Sequence, residues 1–510
     1  MRVLILHIVY TGLLFCLSCN NKVTEISSSI AQVEHKYIPP IGIPAPEFGI
    51  NETVESVYGA ASFYTHYVDN THAKATDANN PLGSAERPRL TIPLELNAGS
   101  VVEIRGGPYT AISGTYTMNG TVEKPVFIRG VSNVNRPVVA NSTFKLVGQY
   151  FIVENLDFYN KSLIRFAESS KYGAFRHCEV HNPVGVGGAK NPTVSATGEH
   201  IVIYHNEIHD NVMSDDKDVH GVQASAGGKR IWVLDNHIYN NGGDGIQACH
   251  QCKPGPDHLY IGRNDFHGDK ENGIDLKYAS DVIISQNKLH GYLIPVETGD
   301  VSPIVVGSDG APSRVWIIFN RIYDCRKGIR IEETDSIWII GNLIYNIEGA
   351  GIIPEKEGTK TYIINNTLHN MKTGISEPWR DQFNFSVYNN IFSKISTASL
   401  MLANTPAENI EVSHNLFWET GSYGTNPVEK DPKFTNVDIN DFSLQPLSAA
   451  IGSGLGVENI FQSFYTLYGI DISKEANSKD STKSNIGAYE FETDSFKIPS
   501  VFNNSFDNDK

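Results

Sequence analysis

The sequence predicts an all-β chain wound as a solenoid, and three observations carry that prediction. A segment of apolar residues, then Asn, then an apolar residue and an aromatic ring or His returns along most of the chain at intervals of roughly 22 to 33 residues. A second, glycine-bearing hexad returns in step with it. Neither carries the three-to-four-residue period of an amphipathic helix, so each repeat reads as one coil of short strands.

The Asn segment comes first. Ile201 to His209 around Asn206 aligns with Ile231 to Tyr239 around Asn236, Leu259 to His267 around Asn264 and Val282 to His290 around Asn287. Copies around Asn320 and Asn342 follow, and weaker ones centre on Asn366, Asn390 and Asn415. Asn tolerates the unusual backbone of a tight bend and can bond to its equivalents above and below, so these positions predict a ladder. His209, Tyr239, His267, His290, Tyr323, Tyr345 and His369 fill one column after the bend and read as a structural stack. Catalysis has no use for seven copies.

The hexad follows a turn. His220 to Ser225 aligns with Asp244 to Cys249, Asn272 to Lys277, Ser302 to Gly307, Lys327 to Glu332, Ala350 to Glu355 and Thr373 to Pro378. Strand alternation turns Val222, Ile246, Ile274 and Ile329 inward, and Gln223, Gln247, Asp275 and Arg330 outward. Equivalent residues of stacked coils lie roughly 4.8 Å apart, so columns of the alignment are columns in space.

The ends of the chain set its expected organisation. Arg2, an apolar run from Val3 to Leu17 and Ser18 form an export signal over 1–18, too short to span a bilayer comfortably. Ser18-Cys19 resembles a bacterial lipoprotein processing site, which implies lipidation at Cys19 and anchoring to the outer membrane, facing the periplasm or the outside. Cleavage without lipidation is the alternative. Residues 19–56, with Pro39, Pro40, Pro44 and Pro46, read as a tether, 57–94 as an N-terminal cap, 95–425 as the solenoid, 426–493 as a closing segment and 494–510 as a polar tail. Six cysteines are too few for a disulfide scaffold. Cys249 and Cys252 have no second CxxC to complete a zinc site, and read as a loop disulfide or free thiols. A net charge of −16 with no basic domain excludes nucleic acid as the partner. A monomer is expected.

Charge concentrates on the exposed face of the hexad strands. Asp275 and Lys277 lie two residues apart, and Arg330 and Glu332 repeat the pattern in opposite order two coils, roughly 10 Å, later. Val305, Val306 and Gly307 lie between them and present little bulk. The same four charges also read as two surface ion pairs of small energetic worth. The hexad glycines Gly221, Gly245, Gly273 and Gly328 are expected to leave the backbone open to close approach by a ligand. His220, Asp244 and Asn272 stack at the entrance to this strand, and Asp215, Asp216 and Asp218 form an acidic loop on the same rim, a candidate Ca²⁺ site or an ordinary solvated turn. Gln223, Gln247, Asp244, Glu332 and Lys327 are candidate substrate contacts. Trp379 and Arg380 leave the same edge and could stack on a sugar ring.

The ladder and the hexads resemble the pectate-lyase-like superfamily of right-handed parallel β-helices over about residues 95 to 425. Ala98 to Tyr109 looks like the first coil of such proteins, and Asp431 to Phe434, Asp441 to Leu444 and Ile486 to Tyr489 look like their closing segment. The resemblance implies a polysaccharide lyase acting on an acidic, uronate-containing polymer, with Lys or Arg as base and calcium or another cation as neutraliser. On that footing Lys277 is the candidate base, Arg330 a neutraliser or proton donor, and Asp275 and His220 orienting groups. Glu271 to Lys277 is similar to the Lys-bearing strand of the alginate lyase and chondroitinase B group, whose following Arg strand has no counterpart in the next coil. The same scaffold serves glycoside hydrolases, which need two carboxylates about 5 to 10 Å apart such as Asp244 with Asp275 or Asp275 with Glu332, and also uronate epimerases. A non-catalytic glycan-binding surface lipoprotein would need stacking aromatics on the exposed strands, and these columns hold none.

Overall fold

The computed structural model describes residues 36–110, 112–182, 192–212, 218–248, 252–293, 301–307, 310–355, 358–377, 383–402, 407–473 and 483–488. Each central coil contains three strands. A long strand such as Lys229–Leu234 turns at the Asn bend into a short strand, His237–Tyr239. A second bend then leads into the hexad strand, Ile246–Ala248. Each strand pairs in parallel with its equivalent in the next coil: Lys229–Leu234 with Asp257–Gly262, His237–Tyr239 with Asp265–His267, and Ile246–Ala248 with Ile274–Leu276. This is the expected parallel solenoid.

The first bend carries the expected ladder. Asn206 Nδ2 donates to Asn236 Oδ1 at 3.0 Å, and the pattern runs through Asn264, Asn287, Asn320, Asn342, Asn366 and Asn390 to Asn415. Each amide also donates to a backbone carbonyl, as Asn264 does to Val233 at 2.8 Å. The left-handed backbone sits one residue earlier than expected, on His205, Asp235, Arg263, Gln286 and Phe319, with φ between 51° and 56°. The Asn is therefore selected for its amide. The following column forms the expected ring stack, with centroids 4.7 to 5.0 Å apart from His209 to Tyr345. It begins earlier, at Tyr159 and His181.

The tether reading fails for residues 37–56, which lie along the outside of the long strands. Tyr37 Oη donates to Asp235 at 2.6 Å, Trp232 Nε1 to the Pro44 carbonyl at 2.8 Å, Ser285 Oγ to the Ile41 carbonyl at 2.6 Å and Arg176 Nη2 to the Glu52 carbonyl at 2.6 Å. From the closing segment the helix Glu458–Tyr468 covers the same face, with Phe464 edge-on to Trp316 at 4.7 Å. The reason lies in the strands themselves. Their outward positions carry Val202, Trp232, Tyr260, Ile283 and Trp316, and this second apolar cluster must be covered as the inner one is. Burying each large side chain contributes about 1.5–3 kcal/mol. The cap boundaries shift as well: His66–Asp69 already pairs in parallel with Val101–Arg105, so coiling begins before residue 95.

The hexad glycines are also corrected. A Cβ at Gly245 would stand 2.8 Å from Asp269 Oδ2 and from the Gly273 carbonyl, and one at Gly328 would stand 2.0 Å from the Gly351 carbonyl. The next coil closes on these positions, so glycine is required for packing between coils and opens nothing to a ligand. Cys252 is disulfide-bonded, while Cys249 lies outside the described residues. Among the described residues no helix is long and apolar enough to cross a membrane.

Candidate functional site

The hexad strands align in the expected register. Gln223 pairs with Gln247, Gln247 with Asp275, Asp275 with Val305 and Val305 with Arg330, which forms one outward column. Upstream the column continues through Ser195 and Arg165 to Lys145. A hydrogen-bonded polar strip floors it: Ser195 Oγ meets Ser225 Oγ at 3.1 Å, Ser225 Oγ donates to Gln223 Oε1 and Gln223 Nε2 to Gln247 Oε1 at 3.2 Å, and Gln247 Nε2 donates to Asp244 Oδ2 at 3.0 Å.

The four candidate catalytic residues divide into separate sets. Lys277 Nζ stands 3.1 Å from Asp275 Oδ2, with only 12% and 6% of the side chains exposed. Arg330 is held by Glu332 at 2.5 Å and Glu355 at 3.0 Å. Both ion pairs form, but buried rather than on the surface as expected, and Arg330 gains a second carboxylate from the next coil. Lys327 lies half-buried on the turn before Ile329–Ile331.

His220 belongs to a different group. Its Nδ1 accepts the Asp244 backbone N–H at 3.0 Å and lies 3.2 Å from Asp244 Oδ2. These contacts compete, because the first needs a bare nitrogen and the second a protonated one. Ligand atoms of His220, Asp244 and Glu271, from three successive coils, all lie within 4.8 Å of one another. Asp244 is fully buried, and its Oδ1 accepts both the backbone N–H and the side-chain amide of Asn272 at 3.1 and 2.9 Å.

The charges of this cluster push its members apart. Burial raises Glu271 to about 8, and the Asp244 and Asp218 carboxylates and a hydrogen bond with Asp218 add to the rise. Burial opposes ionisation of Asp244, yet the His220 and Asn272 hydrogen bonds outweigh it and hold its pKa below the usual range. Burial likewise opposes protonation of His220, and Asp244 outweighs it in turn. A carboxyl pinned near 8 beside two other acids is a site short of positive charge. With His220 Nδ1 engaged by Asp244 in either protonation state, the remaining donors are mainly carboxylate oxygens, a set that suits Ca²⁺.

Of the expected metal loop, Asp218 joins this cluster, while Asp215 and Asp216 lie outside the described residues, as do Trp379, Arg380 and Cys19. Asp218 hydrogen-bonds with Glu271 of a neighbouring coil. Glu271 was missed as a site residue. Its equivalents in neighbouring coils are Gly243 and Val301, so Glu271 is the one acid of its column, and that departure was the available signal.

The sequence model of the right handed beta helix region matches residues 126–292 and 255–442. The chain belongs to the right-handed β-helix family. Solved structures similar to this β-helix protein include the PL6 family alginate lyase AlyGC, 14% identical over 77% of this chain and 56% of that one, with a TM-score of 0.51. Pectate lyase Pel9A is 15% identical, covering 84% of this chain and 97% of its own, with a TM-score of 0.42. A GH136 lacto-N-biosidase from Eubacterium ramulus is 14% identical over 72% and 68%, with a TM-score of 0.41. At these identities the likeness is one of fold. No curated protein matches the chain in sequence.

Proposed function

We propose that this β-helix protein is a carbohydrate-active enzyme that cleaves a uronate-containing polysaccharide by β-elimination. One observation carries the reading: the Lys277–Asp275 pair lies in the same coil as Glu271, next to the coils that supply Asp244 and His220. β-Elimination needs a base at the carbon beside the uronate carboxylate and positive charge on that carboxylate. Asp218 and Glu271, backed by Asp244 and His220, are the residues that would hold Ca²⁺. A bound cation would offset the substrate carboxylate and so acidify the neighbouring proton. Lys277 is assigned as the base. Asp275 orients its ammonium but also favours the protonated form, so the base needs nearby positive charge to lose its proton. Arg330, neutralised by Glu332 and Glu355, is better suited to positioning a sugar than to proton transfer. Export and lipidation at Cys19 go with this reading, since polymeric glycans are met outside the cytoplasm.

A second reading is favoured by Glu271 itself. A carboxyl raised to about 8 is protonated at neutral pH and can serve as the general acid of glycoside hydrolysis.

A panel of acidic polysaccharides decides between them. Elimination creates an unsaturated uronate with ultraviolet absorbance, abolished by EDTA and restored by calcium. New reducing ends without that chromophore would overturn elimination and leave hydrolysis. For the assigned base, Lys277→Ala should lower kcat by about 10²–10⁴-fold, and full activity in that variant rejects the assignment.

A further inference from the structure

Upstream of the polar strip, the outward column places Lys145 directly beside Arg165 on neighbouring coils. Like charges opposite one another on adjacent strands repel. Elsewhere on this face the cations are matched: Lys277 with Asp275, and Arg330 with Glu332 and Glu355. Lys145 and Arg165 form no ion pair among the described residues. Arg165 Nη1 donates only to the Ile164 and Thr193 carbonyls, at 3.1 and 3.4 Å, and its Nη2 is buried with no hydrogen-bond partner. A buried guanidinium nitrogen left without an acceptor is costly, and stands out further in a chain of net charge −16. Burial lowers its pKa to about 10, which leaves it charged at neutral pH.

We infer that Lys145 and Arg165 form a remote subsite that takes a carboxylate of the polyuronate chain. The inference rests on the functional reading above and deepens it. From Arg165 the column runs through Ser195, Gln223 and Gln247 to Asp275, four coil steps or roughly 20 Å, about the length of four sugar units. Sugar repeat and coil rise nearly match, so a glycan lying along the solenoid axis meets one coil per residue. The polar strip, with Ser195 and Gln247 buried, lies between the two ends, and the two uncompensated cations meet an acid group at the far end. Arg165 is therefore assigned to chain-length and charge specificity, remote from the bond that breaks.

The test uses the full-length protein and size-fractionated oligogalacturonates and oligomannuronates, with carboxyl-reduced forms as neutral controls. Arg165→Gln should raise KM about tenfold for oligomers of about five units or more, the loss of one charge-assisted contact, with kcat held within about twofold. Di- and trisaccharides should be unaffected, and Arg165→Lys should recover part of the loss. Binding to the Lys277→Ala protein, read by calorimetry, should show the same dependence on length and charge. Equal KM for wild type and Arg165→Gln on long oligomers overturns the subsite. So does a loss shared by short or neutral oligomers, which marks Arg165 as merely structural. A wild-type protein that neither binds nor cleaves any uronate oligomer overturns the functional reading, and the subsite with it.

Discussion

The two bends of each coil solve the same problem differently. At the first bend a single amide ladder runs from Asn206 to Asn415, with each Oδ1 accepting from the coil before it. At the second bend a parallel ladder starts in the same way, from Asn182 to Asn211 to Asn241 at 2.6 and 2.7 Å, and then changes chemistry. Asn241 donates to Asp269 Oδ1 at 2.8 Å, and Asp269 Oδ2 accepts the Tyr292 hydroxyl at 2.8 Å. The first bend joins a covered face to a stack of rings and has only to hold the coils in register. The second opens directly into the hexad strand with its charged column. Uniformity marks the bend that is purely architectural, and departure from it begins at Asp269, in the coil that carries Glu271.

The largest effect should come from breaking the uniform bend. Asn264 Oδ1 accepts from the backbone and side chain of Asn236, and its amide donates to Val233 and Asn287. Asn264→Ala strands these buried partners and should cost about 3–5 kcal/mol, on the order of two buried hydrogen-bonding groups left unpaired. Denaturant unfolding at unchanged m would record it. A cost under about 1 kcal/mol would mean that the ladder is decorative.

At the second bend the next effect is a ligand effect. If Asp218, Asp244 and Glu271 hold calcium, the wild type should gain about 2.7 kcal/mol at a hundredfold excess over Kd, and Glu271→Gln should gain almost nothing. With Glu271 near 8 the cation must displace a proton, so affinity should climb as pH rises from about 6 to about 8. The same calcium-induced rise in Tm at pH 6 and pH 8.5 would detach Glu271 from the site.

Most of the solenoid was legible because its rules are local and repeated. Asn206, Asn236 and Asn264 announce the bend, and Val222, Ile246 and Ile274 fix which strand face is buried. The covering of the outer face was readable in principle. Ile231-Trp232-Val233-Leu234 leaves no polar side, a pattern that demands burial on both faces, but which segment supplies the cover depends on contacts such as Trp232 with Pro44, 188 residues apart. The site was legible as a column and illegible as a cluster. Asp275, Lys277, Arg330 and Glu332 follow from alternation along one strand. The approach of Glu271 to Asp244 and His220 depends on how the turns before three successive hexads are placed, which the repeat does not specify. The second ladder was hidden for a related reason, since its spacing repeats but its chemistry switches from amide to acid.

That switch gives the most pointed effect. Asp269 is buried, and burial, with a contribution from the charge of Asp244, outweighs the bonds from Asn241 and Tyr292 and raises its pKa to about 8. In the unfolded chain the same group ionises near 4. Between those values folding takes up a proton, so the stability this group contributes is fully present below about pH 4 and is lost as pH rises through about 8. Asparagine at this position would continue the amide ladder without titrating. Asp269→Asn should therefore matter least at acid pH and raise stability progressively as pH climbs through about 8, flattening the profile. Parallel profiles for the two proteins would show that the acid is not what distinguishes the second bend. If the flattened profile comes with altered calcium affinity, Asp269 tunes the cluster above it through Asp244, and the break in the ladder belongs to the site rather than to the fold.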